Sequence, residues 1–390
     1  MSKGFRELSW APIMKYFIRI EEAVKGFRGG VVNLASGSPD VVPRPEEVMD
    51  AISDIASRYW GEALSYPPPG GPRRLRDEVR AYLASQGVDL GGMDLLVFSG
   101  SMHALNVLSL ALIRAGDLIA SENPTFTDSL IPMKLHGASV RPIALTPSGL
   151  EGLARGVEGV KALYVVPTAN NPTGMTYSAE ARSEIAELSS EHSFLVIEDD
   201  PYRALASTPP PPIVNYCRAP TCVYVGSFSK VLAPGFRVAY VAVPKELSEV
   251  VMKAGEVSLA LSSLASLVVY ALLRKGLVAR YAAEGRRRCE LRLKALVDAL
   301  RDYMPYATLW AEPRGGFYAF IKVPGVNMDK VLDEALRRGV SYVPGPAFYL
   351  DSPDLSTARL SIAKTCEDDI VRGVKALSEA VKSVAPGPIT

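Results

Sequence analysis

Histidine and cysteine are scarce in this chain: three and four, respectively, in 390 residues. The cysteines, Cys217, Cys222, Cys289 and Cys366, form no CxxC, and the closest pair, Cys217 and Cys222, gives two ligands where a zinc site takes four. No metal site is expected, and the cysteines read as buried or idle thiols of a reducing compartment. An excess of one charge is also missing. Forty-three Lys and Arg against 42 Asp and Glu leave a net charge of +1, so nothing draws the whole chain to nucleic acid or to anionic lipid. Long apolar runs are absent, because Val257–Leu273 is interrupted by Ser258, Ser262, Ser263 and Ser266 and is short for a bilayer span. The start, MSKGFRELSWAPIMKYF, lacks the apolar core and cleavage site of a secretory leader. No period of twenty to fifty residues recurs, which excludes a repeat array. A cytoplasmic protein with no membrane or nucleic-acid partner follows, and its specificity must lie in a local site.

What is present is a chain 48% hydrophobic, long enough for a large core and more than one domain. Trp10–Lys25 carries Ile13, Phe17, Ile20 and Val24 on one helical face and reads as an arm. A short strand, Val31–Ala35, precedes Ser36-Gly37-Ser38-Pro39-Asp40, a turn in which Gly37 lets a ligand approach the backbone. A helix starts at Pro45 and runs to Tyr59. Tyr66 is then fixed by the stiff bend Pro67-Pro68-Pro69-Gly70-Gly71-Pro72, ahead of a helix over Arg73–Ser85.

From there, strands lead repeatedly into polar turns. Asp94–Phe98 opens on Ser99-Gly100-Ser101-Met102-His103, the start of a helix to about Ala115, and such a helix N-terminus suits an anion. Asp117–Ala120 leads to Asn123-Pro124-Thr125-Phe126, and Lys161–Val166 to Asn171-Pro172-Thr173-Gly174. After a helix over Ser178–Glu191, the apolar strand Phe194–Ile197 ends in Glu198-Asp199-Asp200-Pro201-Tyr202. Cys222–Val225 and Arg237–Val243 then flank Gly226-Ser227-Phe228-Ser229-Lys230. Continuous apolar strands alternating with amphipathic helices predict a largely parallel sheet covered on both faces. Ligands of such sheets gather at the carboxyl ends of the strands, where Phe126, Asn171, Asp199, Tyr202 and Lys230 all fall.

Two long helices, Glu246–Lys275 and Val278–Tyr303, lead away from the sheet. The tail has strands of its own, Gly316–Val323, Val340–Val343 and Arg359–Ala363, with helices over Met328–Arg338 and Glu367–Val381. The expected class is α/β with a smaller α+β domain. Its limits are 1–45 for the arm and part of the small domain, 46–280 for the large domain and 281–390 for the C-terminal small domain.

Taken singly, each motif has a plain structural reading: Asn171-Pro172-Thr173-Gly174 as a turn, Asp199 as a cap, Phe126 as core, Lys230 as a loop lysine. Together they suit a phosphorylated aromatic aldehyde. Lys230 supplies an amine able to form a Schiff base, and Asp199 an acid to keep a pyridine nitrogen protonated. Asn171 and Tyr202 can bond a phenolic oxygen and Phe126 can stack. Ser101, Met102, Ser227, Ser229 and Arg237 can hold phosphate.

This ordered series, with Arg359 in Ala358-Arg359-Leu360-Ser361-Ile362, resembles the pyridoxal-phosphate enzymes of fold type I. Within them it is most similar to class I/II aminotransferases of the aminoadipate, kynurenine and broad aromatic group, from Val31 to about Val381. The resemblance implies a mostly parallel seven-stranded sheet sandwiched by helices, and pyridoxal 5'-phosphate as cofactor. It implies ping-pong transfer of an amino group from an aromatic, aminoadipate, branched-chain or glutamate-like donor to a 2-oxo acid such as 2-oxoglutarate. Lys230 would be the Schiff-base lysine and proton carrier, Asp199 the partner of the pyridine nitrogen, and Tyr202 and Asn171 the partners of the ring hydroxyl. Arg359 would grip the substrate α-carboxylate with help from Asn171 and the Gly37 backbone. Tyr66 resembles the tyrosine that reaches the neighbouring subunit's cofactor phosphate, which implies a homodimer with shared sites. Met102 stands where these enzymes often have a polar residue, so its contact is expected through the backbone.

Arg19 is expected as a solvated arginine of the arm, with contact to a distal substrate carboxylate as the other reading. An apolar lining from Ile13 and Phe17 would suit aromatic or branched substrates. Two further functions share the scaffold. A carbon–sulfur lyase acting at Cβ would use the same residues. A ligand-sensing half of a transcription regulator would need a DNA-binding domain ahead of the sheet, and the roughly thirty residues before Val31 are fewer than the about forty a stable domain needs.

Overall fold

The computed structural model describes residues 11–25, 30–385 and 387. Trp10, the expected start of the arm helix, lies outside them, and that helix runs over Pro12–Lys25. The main sheet has eight strands, in the order Asp94–Phe98, Ala239–Val243, Cys222–Ser227, Leu195–Asp199, Ala162–Val165, Leu118–Asn123, Ser139–Thr146 and Gly149–Leu150. The five from Cys222–Ser227 to Ser139–Thr146 are parallel. Ala239–Val243 is antiparallel to both its neighbours, and Gly149–Leu150 is antiparallel to Ser139–Thr146.

The eighth strand corrects the expected seven. Gly149–Leu150 is a two-residue return at the edge, too short to leave a pattern in sequence. Its neighbour, Ser139–Thr146, was also not expected as a strand. It lies near the edge, is only partly buried, and contains Arg141 and Pro142; proline is tolerated at sheet edges because its missing N–H breaks no essential ladder bond.

Why the central strands are largely apolar is plain from their two covers. Leu96, Val223, Val225 and Val241 pack on one face with Leu105 and Leu108 of helix Ser101–Leu112 and Val251 of helix Lys245–Glu256. Leu95, Val97, Leu163 and Val196 face the other way, in the core that includes Leu75 and Val79 of helix Arg73–Ser85 and Leu267 of helix Ser263–Arg274. Each such side chain contributes about 1.5–3 kcal/mol when fully buried.

The expected helix over Glu246–Lys275 is two helices. The first ends at Glu256, Leu259 takes a left-handed φ of 43°, and Ser262 caps the second by accepting from Ala265 N at 3.2 Å. A 27-residue helix, Leu277–Tyr303, then passes through the expected 280/281 boundary without a break.

A second, antiparallel sheet has the order Thr308–Leu309, Tyr318–Lys322, Thr357–Ser361, Val343–Pro344. Val32–Asn33 pairs in parallel with Val340–Ser341, so a segment ahead of the main sheet is built onto the part of the chain that follows it. Cys217 and Cys222, read from sequence as idle thiols, are joined in a disulfide with Cα atoms 6.3 Å apart. The loop 218–221 brings them together at the start of strand Cys222–Ser227. Cys289 is buried and free, and Cys366 is free and exposed. Among the described residues no helix is long and apolar enough to cross a membrane.

Candidate active site

Parallel register brings the ends of three strands to one place. Val165 lies opposite Glu198 and Asp199 opposite Val225, so Asn171, Asp199 and the Ser227–Lys230 turn emerge on the same rim. The strand Thr357–Ser361 of the second sheet delivers Arg359 to that rim. Between them is a cavity of about 440 Å³. Of the thirteen residues singled out in sequence, Gly37, Ser101, Met102, Phe126, Asn171, Asp199, Tyr202, Ser227, Ser229, Lys230, Arg237 and Arg359 line it. Tyr66 does not: it is 83% exposed on the outer surface. Ile13 is buried in the core and, among the described residues of the arm helix, only Phe17 reaches the cavity, which corrects the expected lining.

At the centre, Lys230 Nζ donates to the Gly37 carbonyl at 2.9 Å, which holds the amine across the cavity from its own strand. Asp199 is buried. Its Oδ2 accepts from the Tyr164 hydroxyl at 2.8 Å, while Oδ1, equally buried, has no partner. Burial pushes the carboxyl up to about 7, against the lowering effect of the Tyr164 hydrogen bond, with the Asp200 charge adding to the rise and Lys230 opposing it. A buried acceptor without a donor is unfavourable, and a protonated pyridine N–H is a donor that Oδ1 would suit.

At the helix end, Ser101 starts the Ser101–Leu112 helix, whose first-turn N–H groups are free to face an anion. Arg237, with a left-handed φ of 51°, folds its guanidinium against Gly100, where any Cβ would collide with it. Ser227 Oγ donates to Ser229 Oγ at 3.0 Å and accepts from Ser229 N at 3.1 Å, which orients both hydroxyls. Two hydroxyls, a guanidinium and a helix N-terminus together would suit a phosphate.

Arg359 is 1% exposed. Nη1 donates to Asn171 Oδ1 at 2.9 Å and Nη2 to the Ala35 carbonyl at 2.6 Å, while Nε is buried without a partner. The rings of Tyr318 and Phe348 flank the guanidinium at 4.4 and 4.8 Å. Burial lowers its pKa, with Tyr318, Tyr202 and Asp128 opposing that effect.

The family described as aminotransferase class I and II matches residues 29–377. The chain belongs to that family. It is 30% identical to a 2-aminoadipate transaminase of Thermus thermophilus over 92% of this chain and 91% of the relative. It is 27% identical to an aromatic-amino-acid aminotransferase of Thermococcus litoralis over 98% of each. The crystal structure of a kynurenine aminotransferase of Pyrococcus horikoshii superposes with a TM-score of 0.87 at 28% identity, covering 98% of this chain and 97% of that one. The protein is a pyridoxal-phosphate-dependent aminotransferase of fold type I.

Sequence reasoning missed several residues of this aminotransferase site. Tyr318 lines the cavity, receives the Tyr202 hydroxyl at 3.3 Å, and lies against Gly37. Its signal was the preceding Gly315-Gly316. A Cβ on Gly315 would stand 2.6 Å from Ala206 Cα, so these glycines let the strand start tight against the Tyr202 loop. Tyr164 and Ser129 also face the cavity and carried no motif. Arg19 is partly exposed and does not line the cavity: it pairs with Asp329 at 3.0 Å and Asp333 at 2.8 Å, tying the arm to helix Met328–Arg337.

Proposed function

We propose that this aminotransferase moves amino groups from amino acids with uncharged, chiefly aromatic, side chains to a 2-oxo acid in two half-reactions at a single site. The observation that carries the reading is that the Lys230 amine, the unpartnered Oδ1 of Asp199 and the Arg359 guanidinium all face one cavity.

Lys230 would hold the cofactor's aldehyde carbon. Asp199 would take the ring nitrogen, Asn171 and Tyr202 the ring hydroxyl, and Phe126 a ring face. The phosphate would rest on the Ser101 and Met102 backbone, Ser227, Ser229 and Arg237. Pyridoxal phosphate, when bound, supplies an electron-withdrawing ring for charge developing at the substrate Cα. Arg359 binds the α-carboxylate, with Asn171 and the Gly37 backbone beside it, and so aims the Cα–H bond. Once the substrate amine has taken its place at that carbon, Lys230 Nζ would be free to move the proton from Cα to the cofactor carbon, and in the second half-reaction from the cofactor carbon to Cα of the new amino acid. Phe17 and Tyr318 exclude water and line the side-chain end.

The donor class rests on charge. Among the described residues, the cations lining the cavity are Lys230, Arg237 and Arg359, each with a role above, and Arg19 is held by Asp329 and Asp333. That leaves aromatic and branched donors better matched than aminoadipate or glutamate. Tyr66, exposed and outside its own cavity, would complete the partner's phosphate cup in a homodimer, and sedimentation of the holoenzyme tests the dimer.

The deciding experiment is the visible absorption of the protein loaded with pyridoxal phosphate, for wild type and Lys230→Ala, before and after phenylalanine, leucine, aminoadipate and glutamate. A visible band that requires Lys230, bleaches fastest with phenylalanine and returns with a 2-oxo acid is the expected result. Release of pyruvate and ammonia from a β-thio amino acid without any oxo acid would overturn it in favour of a lyase.

A further inference from the structure

The proposed role of Asp199 leaves one question of proton placement. In a dry site, an ionised carboxylate against a protonated ring nitrogen competes with the neutral pair, in which the same proton sits on the carboxyl oxygen. Only the first form makes the ring a strong electron sink. Burial works for the neutral pair here, since Asp199 is 5% exposed.

One side chain works the other way. Tyr164 is wholly buried on strand Ala162–Val165, opposite Ile197 of the next strand. Side chains two apart share a face, so Asp199 lies on the same face as Ile197, one step towards the cavity. The Tyr164 phenol reaches along the strand and donates to Oδ2 at 2.8 Å. Its partner oxygen is thereby fixed, and Oδ1 is the atom left for the ring. The phenol remains protonated, because burial and the Asp199 charge raise its pKa well above the ordinary value, and Ser129 stands beside it. The other charged groups acting on Asp199 are Asp200 and Lys230.

We propose that Tyr164 is a positioning residue which, by donating to Oδ2 of Asp199, holds that carboxylate ionised and keeps the shared proton on the cofactor's ring nitrogen. The inference rests on the assignment of Asp199 to that nitrogen. Removing the hydroxyl raises the proton affinity of the carboxylate and draws the proton from nitrogen to Oδ1. A hydrogen bond to a charged group corresponds to about a tenfold to hundredfold bias, so the loss should be of that size.

The test loads wild type, Tyr164→Phe, Asp199→Asn and the double variant with cofactor labelled with nitrogen-15 in the ring, and reads the ring-nitrogen chemical shift by NMR. Wild type should show a protonated ring nitrogen, Asp199→Asn a neutral one, and Tyr164→Phe a shift moved towards neutral. The rate of the first half-reaction should fall about tenfold to hundredfold in Tyr164→Phe, with the donor KM nearly unchanged and no further loss in the double variant relative to Asp199→Asn. If Tyr164→Phe does not fold, 3-fluorotyrosine at position 164, close in shape and with a more acidic phenol, should instead raise the pH at which the ring-nitrogen signal turns neutral. A wild-type signal in Asp199→Asn would overturn the Asp199 assignment. A neutral signal there with a wild-type signal in Tyr164→Phe, or no response to fluorination, would overturn the role of Tyr164 alone.

Discussion

Arg359 Nη1 donates to Oδ1 of Asn171 at 2.9 Å, joining a strand of the smaller sheet to the loop that follows a central strand of the larger one. The two residues are 188 positions apart. Asn171 uses its carbonyl on Arg359, so its amide NH₂ remains to face a ring oxygen. The same contact therefore orients the group proposed for the substrate and the group proposed for the cofactor.

Replacing Arg359 with lysine keeps a charge but removes the planar fork. The ammonium cannot hold Asn171, Ala35 and a carboxylate together. The donor KM should rise about tenfold to hundredfold, the size of one hydrogen bond to a charged group, while the cofactor dissociation constant stays within a few-fold. Steady-state kinetics with phenylalanine and a cofactor titration check both; an unchanged KM would remove Arg359 from substrate binding.

Gly37 has an ordinary backbone conformation, so its need for glycine is one of space. A Cβ there would collide with the Tyr318 hydroxyl, and with that oxygen gone the nearest ring atom would be Cζ at 3.2 Å. Gly37→Ala should push Tyr318 or the Gly37 carbonyl away and misplace the Lys230 amine that it holds, lowering turnover at least about tenfold, as small misplacements at a reacting centre do. Tyr318→Phe in the same chain should restore much of the loss. Turnover of the two single variants and the double variant decides the point, and purely additive losses would contradict the contact.

Sequence carried the site further than it carried the frame. Lys230 and Asn171 follow strands, Asp199 ends one and Arg237 precedes one, in motifs whose order is hard to reach by chance, and all four line one cavity. Tyr318 and Tyr164 were not legible because their roles come from register and from neighbouring strands, not from any local pattern. Ser139–Thr146 was missed because this strand, next to the edge and only partly buried, alternates weakly and contains Pro142. The Cys217–Cys222 disulfide was missed because the pair was weighed only as metal ligands, although a loop of four residues can bring the two sulfurs together. Arg19 shows a related limit: a helix-face arginine has no visible partner in sequence when its two aspartates lie more than 300 positions away.

Arg19→Ala should leave donor selectivity unchanged. Its partners are Asp329 and Asp333, and half-exposed ion pairs of this kind contribute only about 0–1 kcal/mol. The ratio of kcat/KM for phenylalanine over aminoadipate should stay within about twofold of wild type, and the thermal midpoint should fall by a few degrees at most. A selective loss of activity towards aminoadipate would return Arg19 to the substrate and revise the proposed donor class.

Behind the cavity, Glu122 is wholly buried and gathers four donors: Val166 N at 3.1 Å, Thr125 Oγ1 at 3.1 Å, Asn170 Nδ2 at 2.8 Å and the Tyr177 hydroxyl. It thus ties the loop before Phe126 to the loop before Asn171. Burial nevertheless dominates those hydrogen bonds and pushes the carboxyl from 4.5 up to about 8. Between those values the folded protein binds more protons at this site than the unfolded chain does. The stability this group contributes is therefore complete at acid pH and is lost as pH rises towards the folded value, by up to about 1.4 kcal/mol per pH unit. Glu122→Gln cannot ionise, keeps an oxygen for three donors, and can turn an N–H to the Tyr177 oxygen. Urea midpoints at about pH 5 and about pH 8 should then diverge, with wild type losing stability relative to the glutamine variant as pH rises. Parallel pH profiles would mean that the four donors keep Glu122 ionised in the folded protein, and that the loops are tied by a charged centre and not a neutral one.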